Sequence, residues 1–322
     1  PSSACRRVPL QKDNNMMSRL IINGKSAALP AVRGAVQQVR DSGIKLEVRV
    51  TYEGGDGKRL AQEACREGIE RLVAGGGDGS LHEVVNGILT SGATTHPVLG
   101  VMPLGLANDF AVACQLPGDP FQALHLALTN PPRQIDVGRV NGTYFINAAT
   151  GGLGRGLSAT PPSINRILGD TVNSLFGMVL AANFQSHESR LLLPGRKRAI
   201  KGIVGAVSNG SLMGGGHVIA PNARLDDGLL DVLVVREFPL GDLGKVIEEL
   251  QGLNQRGRYI SYHQAPWLEA DISGNVPVNL DGEPMAFSSA RFDVVEHAMA
   301  MALPQNCPLV DALPLEESVA EK

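Results

Sequence analysis

The sequence predicts an α/β protein in two parts. An N-terminal parallel sheet is covered by helices, and a C-terminal portion is mostly antiparallel β. Three observations predict this. Short apolar runs alternate with helical periodicity across residues 20–128. Glycine-rich turns fall at the ends of two of the apolar runs. Beyond residue 133 the helical periodicity gives way to strand-like runs, with Asn141-Gly142 and Asp281-Gly282 as hairpin signals.

In order, residues 20–22 read as a strand that stops at Asn23-Gly24-Lys25, and residues 31–40 as a helix. Residues 46–51 alternate like a strand, 58–66 are a helix and 69–74 a strand. Residues 81–89 form a helix, 98–102 a strand, 107–114 a short helix and 121–128 another. This β-α-β-α order argues for a parallel sheet with helices on both faces, in which ligands sit beyond the carboxyl ends of the strands. The second half reads as strands over 135–140, 143–148, 199–208, 229–235, 267–272, 276–280 and 291–295. Helices over 164–184 and 240–253 interrupt them. Residues 171–184 are apolar for a surface helix, which suits core or interdomain packing, or the lining of a lipid entrance. The expected organisation is a polar extension or tag remnant over 1–15, a first domain over 16–138, a β-rich domain over 139–310 and a frayed acidic tail over 311–322. The last strand or tail of the second domain is free to pack back on the first.

Composition narrows the function. Of 322 residues, 43% are hydrophobic and 19% charged, so the chain can bury a sizeable core. A net charge of −3 leaves no basic footprint for nucleic acid. Cys5, Cys65, Cys114 and Cys307 are too far apart in sequence for a C-x-x-C zinc or redox motif, and a reducing cytosol fits them. No apolar stretch is long enough to span a bilayer, and residues 1–15 lack a signal-peptide core.

The most informative stretch is Val73-Ala74-Gly75-Gly76-Gly77-Asp78-Gly79-Ser80-Leu81-His82-Glu83. A strand feeds a glycine turn, and the turn feeds a helix N-terminus. Glycines let the backbone approach an anion, and free helix N–H groups point at it, which suits a phosphate. The plainer reading is a tight turn closed by a capping box, since Ser80 and Glu83 have the S-x-x-E spacing. Three glycines and an aspartate before the serine exceed what a cap needs. Pro103-Leu104-Gly105-Leu106-Ala107-Asn108-Asp109-Phe110-Ala111 ends the next strand, either as a turn capped by Asn108 or Asp109 or as a carboxylate set beside the glycine loop. Asp78 and Asp109 would then hold Mg²⁺ on phosphates, because hard cations take oxygen ligands. Arg224-Leu225-Asp226-Asp227-Gly228-Leu229-Leu230 is a plain turn or a metal loop built from the Asp227 carboxylate and backbone carbonyls. Asn279-Leu280-Asp281-Gly282-Glu283-Pro284 is a hairpin, or a loop offering two carboxylates across a cleft as proton acceptors.

Taken in this order, and with Asn23-Gly24-Lys25-Ser26, Val48-Arg49-Val50-Thr51, the run from Phe145 through Asn147 to Gly152, and Cys307-Pro308-Leu309, these segments resemble the diacylglycerol kinase catalytic-domain family, which includes sphingosine kinases. The similarity is closest to the YegS-type bacterial lipid kinases and covers residues 20–309. Each motif is weak alone, and the ordered set is specific. The resemblance implies a nucleotide-binding α/β domain, a β-sandwich-like second domain and an active site between them. ATP would contact Thr51 and the loop through Gly75, Gly76, Gly77, Asp78, Gly79, Ser80, Leu81, His82 and Glu83, with Asn108 beside it. Asp109 would join a Mg²⁺–phosphate network. Glu283 would be the general base, with Asp281 its rival. A structural Mg²⁺ or Ca²⁺ is implied on the Asp227 side chain and the carbonyls of Arg224 and Leu229. Two positions depart from the family: Ser80 replaces a usual threonine and keeps the hydroxyl, whereas Leu106 replaces a threonine and loses it.

The expected activity is in-line transfer of the γ-phosphoryl of ATP to a hydroxyl of a membrane lipid, such as diacylglycerol or phosphatidylglycerol, by a cytoplasmic enzyme that visits the inner membrane surface. Two alternatives stand beside it. One is a kinase of a soluble acceptor, like NAD kinase or phosphofructokinase, which share a Gly-Gly-Asp-Gly loop but not the Leu-Ala-Asn-Asp-Phe-Ala and Leu-Asp-Gly-Glu-Pro elements. The other is a catalytically silent nucleotide- or lipid-binding regulator.

Overall fold

The computed structural model describes residues 17–151, 187–194, 196–252 and 257–311. The expected helix over 164–184, the N-terminal extension and the tail beyond residue 311 lie outside these residues.

Four parallel strands form the N-terminal sheet: β1 (Ser18–Asn23), β2 (Leu46–Thr51), β3 (Arg71–Gly76) and β4 (Val98–Pro103), in the order β4-β3-β1-β2. The period of two along β1 decides the layering. Leu20 and Ile22 face one side and join a cluster with α2 (Pro30–Asp41) and α6 (Pro120–Thr129). Ile21 faces the other and joins a cluster with α3 (Asp56–Arg66), α4 (Asp78–Leu89) and α5 (Asp109–Ala113). A short helix, α1 (Gly24–Ala27), follows β1, with the Asn23 side chain accepting the Ser26 N–H at 2.8 Å.

The second half supplies β5 (Pro132–Val140), β6 (Thr143–Phe145), β7 (Ala148–Gly151), β8 (His187–Leu193), β9 (Arg196–Ser208), a two-stranded ribbon of β10 (Leu212–Met213) and β11 (His217–Val218), β12 (Leu230–Arg236), α7 (Leu243–Gly252), β13 (Ile260–Ala265), β14 (Trp267–Leu280) and β15 (Glu283–Ala302). Pairing among them is antiparallel. The final strand joins the two halves: β15 pairs with β14 and β5, and its Met301 then pairs in parallel with Leu99 of β4. The two expected hairpins form. Asn141 and Gly142 have φ of 46° and 87°, and Asp281 and Gly282 have 50° and 101°, the consecutive positive angles of a tight hairpin turn.

The structure corrects several expected elements. β3 runs on through Gly75 and Gly76, which pair with Met102 and Pro103, so the turn is confined to Gly77. The capping box does not form. The helix starts at Asp78 with Gly77 as N-cap, which places Ser80 inside the first turn. The strand expected over 143–148 breaks at Ile146-Asn147, because the Asp281 carboxylate draws the N–H groups of Ile146, Asn147 and Ala148 at 2.8–3.0 Å. The strands expected over 267–272 and 276–280 are one strand, with a register shift between Asp271 and Val276. The short strand expected over 291–295 is part of the 20-residue β15.

Candidate active site

The carboxyl edge of the parallel sheet holds the site. Gly77 and Gly105, each in the turn after a strand, meet backbone to backbone: a Cβ added at Gly105 would lie 2.5 Å from Gly77 Cα. The Leu104 N–H donates to the Gly76 carbonyl at 2.9 Å, which ties the second turn to the first. Asn108 sits in the left-handed region (φ 53°) and braces its own turn twice: its Oδ1 accepts the Gly105 N–H, and its Nδ2 donates to the Gly105 carbonyl. Beside these turns the N-terminus of α4 opens on a cleft of about 270 Å³ lined by Asn23, Thr51, Gly75, Gly79, Ser80, Glu83 and Glu283, among others.

The predicted residues divide by what they touch. Gly75, Gly79, Ser80 and Thr51 line the cleft. Leu81 is buried in the core under α4. Glu83 lines the cleft but is engaged, its two oxygens accepting the Gly55 and Gly57 N–H groups at 2.9 and 2.8 Å, so it clamps the start of α3 onto α4. Asp78 accepts the N–H groups of Asp109 and Phe110 and caps α5. Burial pushes the Asp78 carboxyl up, and the nearby carboxylates of Asp109 and Asp281 push it the same way, against the two N–H donors. Asp109 reaches the ribbon instead, where its carboxylate accepts the N–H groups of Gly215 and Gly216.

The hairpin carboxylates have different surroundings. Asp281 is 7% exposed. It accepts three backbone N–H groups and pairs with His82 Nδ1 at 3.1 Å. Asn86 stands behind His82, with its Nδ2 bonded to the carbonyls of His82 and Tyr144. Asp281 therefore ties the β14–β15 turn to α4 and to the β6–β7 break. Glu283, two residues on, lies against the first turn of α4: a Cβ added at Gly79 would sit 3.3 Å from its Oε1.

This geometry accompanies clear sequence similarities. The chain matches the diacylglycerol kinase catalytic domain over residues 18–140 and the YegS C-terminal NAD kinase beta sandwich-like domain over residues 171–303. It is 45% identical over 293 residues to a protein of Chromohalobacter salexigens named Probable lipid kinase YegS-like, covering 90% of this chain and 94% of that one. The chain belongs to the YegS-like lipid kinase family. A similarly named member from Shewanella frigidimarina is 37% identical, with 90% and 94% coverage. A crystal structure described as a diacylglycerol kinase from Bacillus anthracis str. Sterne shares the fold, with a TM-score of 0.67 at 19% identity, covering 91% of this chain and 98% of that one. A second structure from that organism gives 0.76 at 22% identity, again with 91% and 98% coverage. Like those neighbours, this YegS-like kinase joins a parallel N-terminal sheet to an antiparallel β-sandwich-like region.

None of the residues of the loop over 224–229 lines the cleft. Its Leu225 N–H donates to the Leu309 carbonyl, and its Gly228 N–H to Asp136. The Arg224 side chain turns to Asp226 and Asp311. Burial raises the Asp227 carboxyl, and the neighbouring Asp136 carboxylate raises it further. That excess of negative charge and the oxygen donors fit a hard divalent cation. Among the described residues no group of three or more His, Cys, Asp or Glu side chains converges on a metal-sized site, so a cation here would depend on carbonyl oxygens.

Two participants in this YegS-like architecture were not picked out from sequence. Asp136 is 1% exposed and accepts the Gly228 and His297 N–H groups at 2.8 Å. A carboxylate in the middle of an apolar strand run was the available signal. The Gly214-Gly215-Gly216 turn, with φ of 65°, 94° and 93°, supplies the donors for Asp109.

Proposed function

We propose that this chain is an ATP-dependent lipid kinase that transfers the γ-phosphoryl group of ATP to a hydroxyl of a membrane lipid of the diacylglycerol or phosphatidylglycerol type. The observation that carries the reading is the position of Glu283, whose carboxylate lies against the N-terminal turn of α4 in the lining of the cleft. Phosphates held at that turn by backbone N–H groups would place the γ-phosphoryl near Glu283. Glu283 would take the proton of the acceptor hydroxyl as the oxygen attacks phosphorus in line. Asp281 is better suited to hold Glu283 in place, because four hydrogen bonds already occupy it. Gly77 and Gly105 let the two turns pack backbone to backbone beside the position the phosphates would take, and Glu83 clamps the start of α3 onto α4. Mg²⁺, bound through the phosphates with Asp78 or Asp109 nearby, would neutralise developing charge. A divalent ion on the Asp227 carboxylate and the carbonyls of Arg224 and Leu229 would brace the 224–229 loop. Among the described residues no helix is long and apolar enough to cross a membrane, so the lipid would be met at the membrane surface.

The test is transfer of label from γ-labelled ATP into mixed lipid micelles with Mg²⁺, for wild type and Glu283→Gln. Label in one lipid that is lost in the variant supports the reading and identifies the acceptor. Label only in NAD or fructose 6-phosphate, or none with ATP still bound, overturns it.

A further inference from the structure

The three described cysteines carry no part of the proposed phosphoryl transfer, and two of them meet. Cys114 is the C-cap of α5, and Cys307 lies in the segment after β15. Both are buried in the same core cluster, near enough for each thiol to act on the titration of the other. The contact is anchored from outside by the neighbouring residues, since Asn306 Nδ2 donates to Gln115 Oε1 at 3.3 Å. Cys307 itself is shallow: it is 4% exposed, with Asn306 and Pro308 on either side exposed.

We propose that Cys114 and Cys307 are a dithiol that a hydroperoxide oxidises to an intramolecular disulfide. The two sulfurs differ in the way the chemistry needs. Burial holds Cys114 well above the ordinary thiol range, so it keeps its proton. Cys307 is lowered to about 7, first by the Cys114 thiol, then by the Leu309 N–H and the charge of Arg133. The Arg133 Nη1 is buried with no hydrogen-bond partner among the described residues, so a cationic donor stands near the forming thiolate.

The steps balance. The Cys307 thiolate attacks a peroxide oxygen, an S–O bond forms, the O–O bond breaks and hydroxide leaves to be protonated as water. The Cys114 sulfur then attacks the sulfenic sulfur, an S–S bond forms, the S–O bond breaks and a second water leaves with the Cys114 proton. Two thiols and one hydrogen peroxide give one disulfide and two waters. The bond would staple the end of α5 to the segment that secures the 224–229 loop through Leu309 and Asp311.

The test is titration of the full chain with hydrogen peroxide, followed by alkylation under denaturing conditions and peptide mapping. The expected result is loss of two of the four alkylatable thiols, a single Cys114–Cys307 linked peptide and a monomer on a non-reducing gel. The oxidised protein should melt on the order of 5 °C higher than the reduced form, and a reducing thiol should reverse this. In Cys114→Ser the sulfenic acid of Cys307 should persist and be trapped by dimedone. In Cys65→Ser the linked peptide should form as in wild type. Four thiols still alkylatable after peroxide, a disulfide to Cys5 or Cys65, or overoxidation of Cys307 in wild type without a linked peptide would each overturn the proposal.

Discussion

Glu283 and Asp281 are two residues apart and chemically alike, yet their surroundings differ. On the proposed mechanism, Glu283→Gln removes the proton acceptor at the cleft without touching the hydrogen-bonded frame. Its kcat should fall about 10²- to 10⁴-fold, with Tm unchanged and the KM for ATP nearly so. Asp281→Asn keeps one acceptor oxygen but loses the charge shared by three N–H groups and His82. It should lower stability by about 2–3 kcal/mol, read as a shift in urea midpoint. A Glu283→Gln enzyme with full turnover, or an Asp281→Asn protein as stable as wild type, would reverse the two roles. Leu106 is the remaining departure at this scale. It is fully exposed, so Leu106→Thr should fold normally, and a lower KM for ATP in that variant would locate the missing hydroxyl contact. The glycine-rich loop and the paired carboxylates were legible in sequence because their residue types are chemically distinctive. The enclosure of Asp281 was not, because it depends on where the N–H groups of Ile146, Asn147 and Ala148 point.

At the level of elements, the carboxyl edge depends on turns that touch. A side chain at Gly105 would meet the Gly77 backbone at 2.5 Å, and neither backbone can yield without moving a strand end. Gly105→Ala should therefore cost about 1–3 kcal/mol of stability and raise the KM for ATP. Substrate titration of the variant against wild type checks this. The start of α3 gives a pH prediction. Asp56 accepts the Tyr52 and Glu53 N–H groups and pairs with Arg59, which holds its carboxyl at about 2 against an ordinary 3.8. Because the folded value is depressed, its stabilisation is present above about pH 4 and lost as pH falls towards 2. The Tm difference between wild type and Asp56→Asn should be constant above pH 5, shrink as pH falls from 4 to 2 and disappear only below the folded value of about 2. A difference undiminished at pH 2 would remove Asp56 from this role. Helices and strands of the first half were readable because each has one apolar face. The break at Ile146-Asn147 and the continuous β14 were not, since a side chain distant in sequence causes the first and a tolerated register shift the second.

Over the whole molecule, β15 carries the connection between the halves. It begins at Glu283 in the cleft, runs along β14 and β5, and ends beside β4 of the parallel sheet. The segment that follows is tied to the 224–229 loop by the Leu225–Leu309 hydrogen bond and the Arg224–Asp311 ion pair. If a divalent ion braces that loop, adding Mg²⁺ or Ca²⁺ to chelator-treated protein should raise Tm, by a mass-action term that grows with ion concentration. Asp227→Asn should abolish the rise. An equal rise in wild type and variant would exclude a cation at Asp227.

The sequence alone determined the succession of strands and helices in the first half, the glycine-rich turn between strand and helix and the ordered motifs that mark the family, because these follow from local periodicity and from residue chemistry at short spacing. The tertiary structure alone decided that Glu83 clamps α3, that Asp281 is enclosed while Glu283 faces the cleft, and that Cys114 meets Cys307. Each of these depends on hydrogen bonds or contacts between residues 26 to 204 positions apart, and no local pattern encodes which distant backbone groups a side chain will meet.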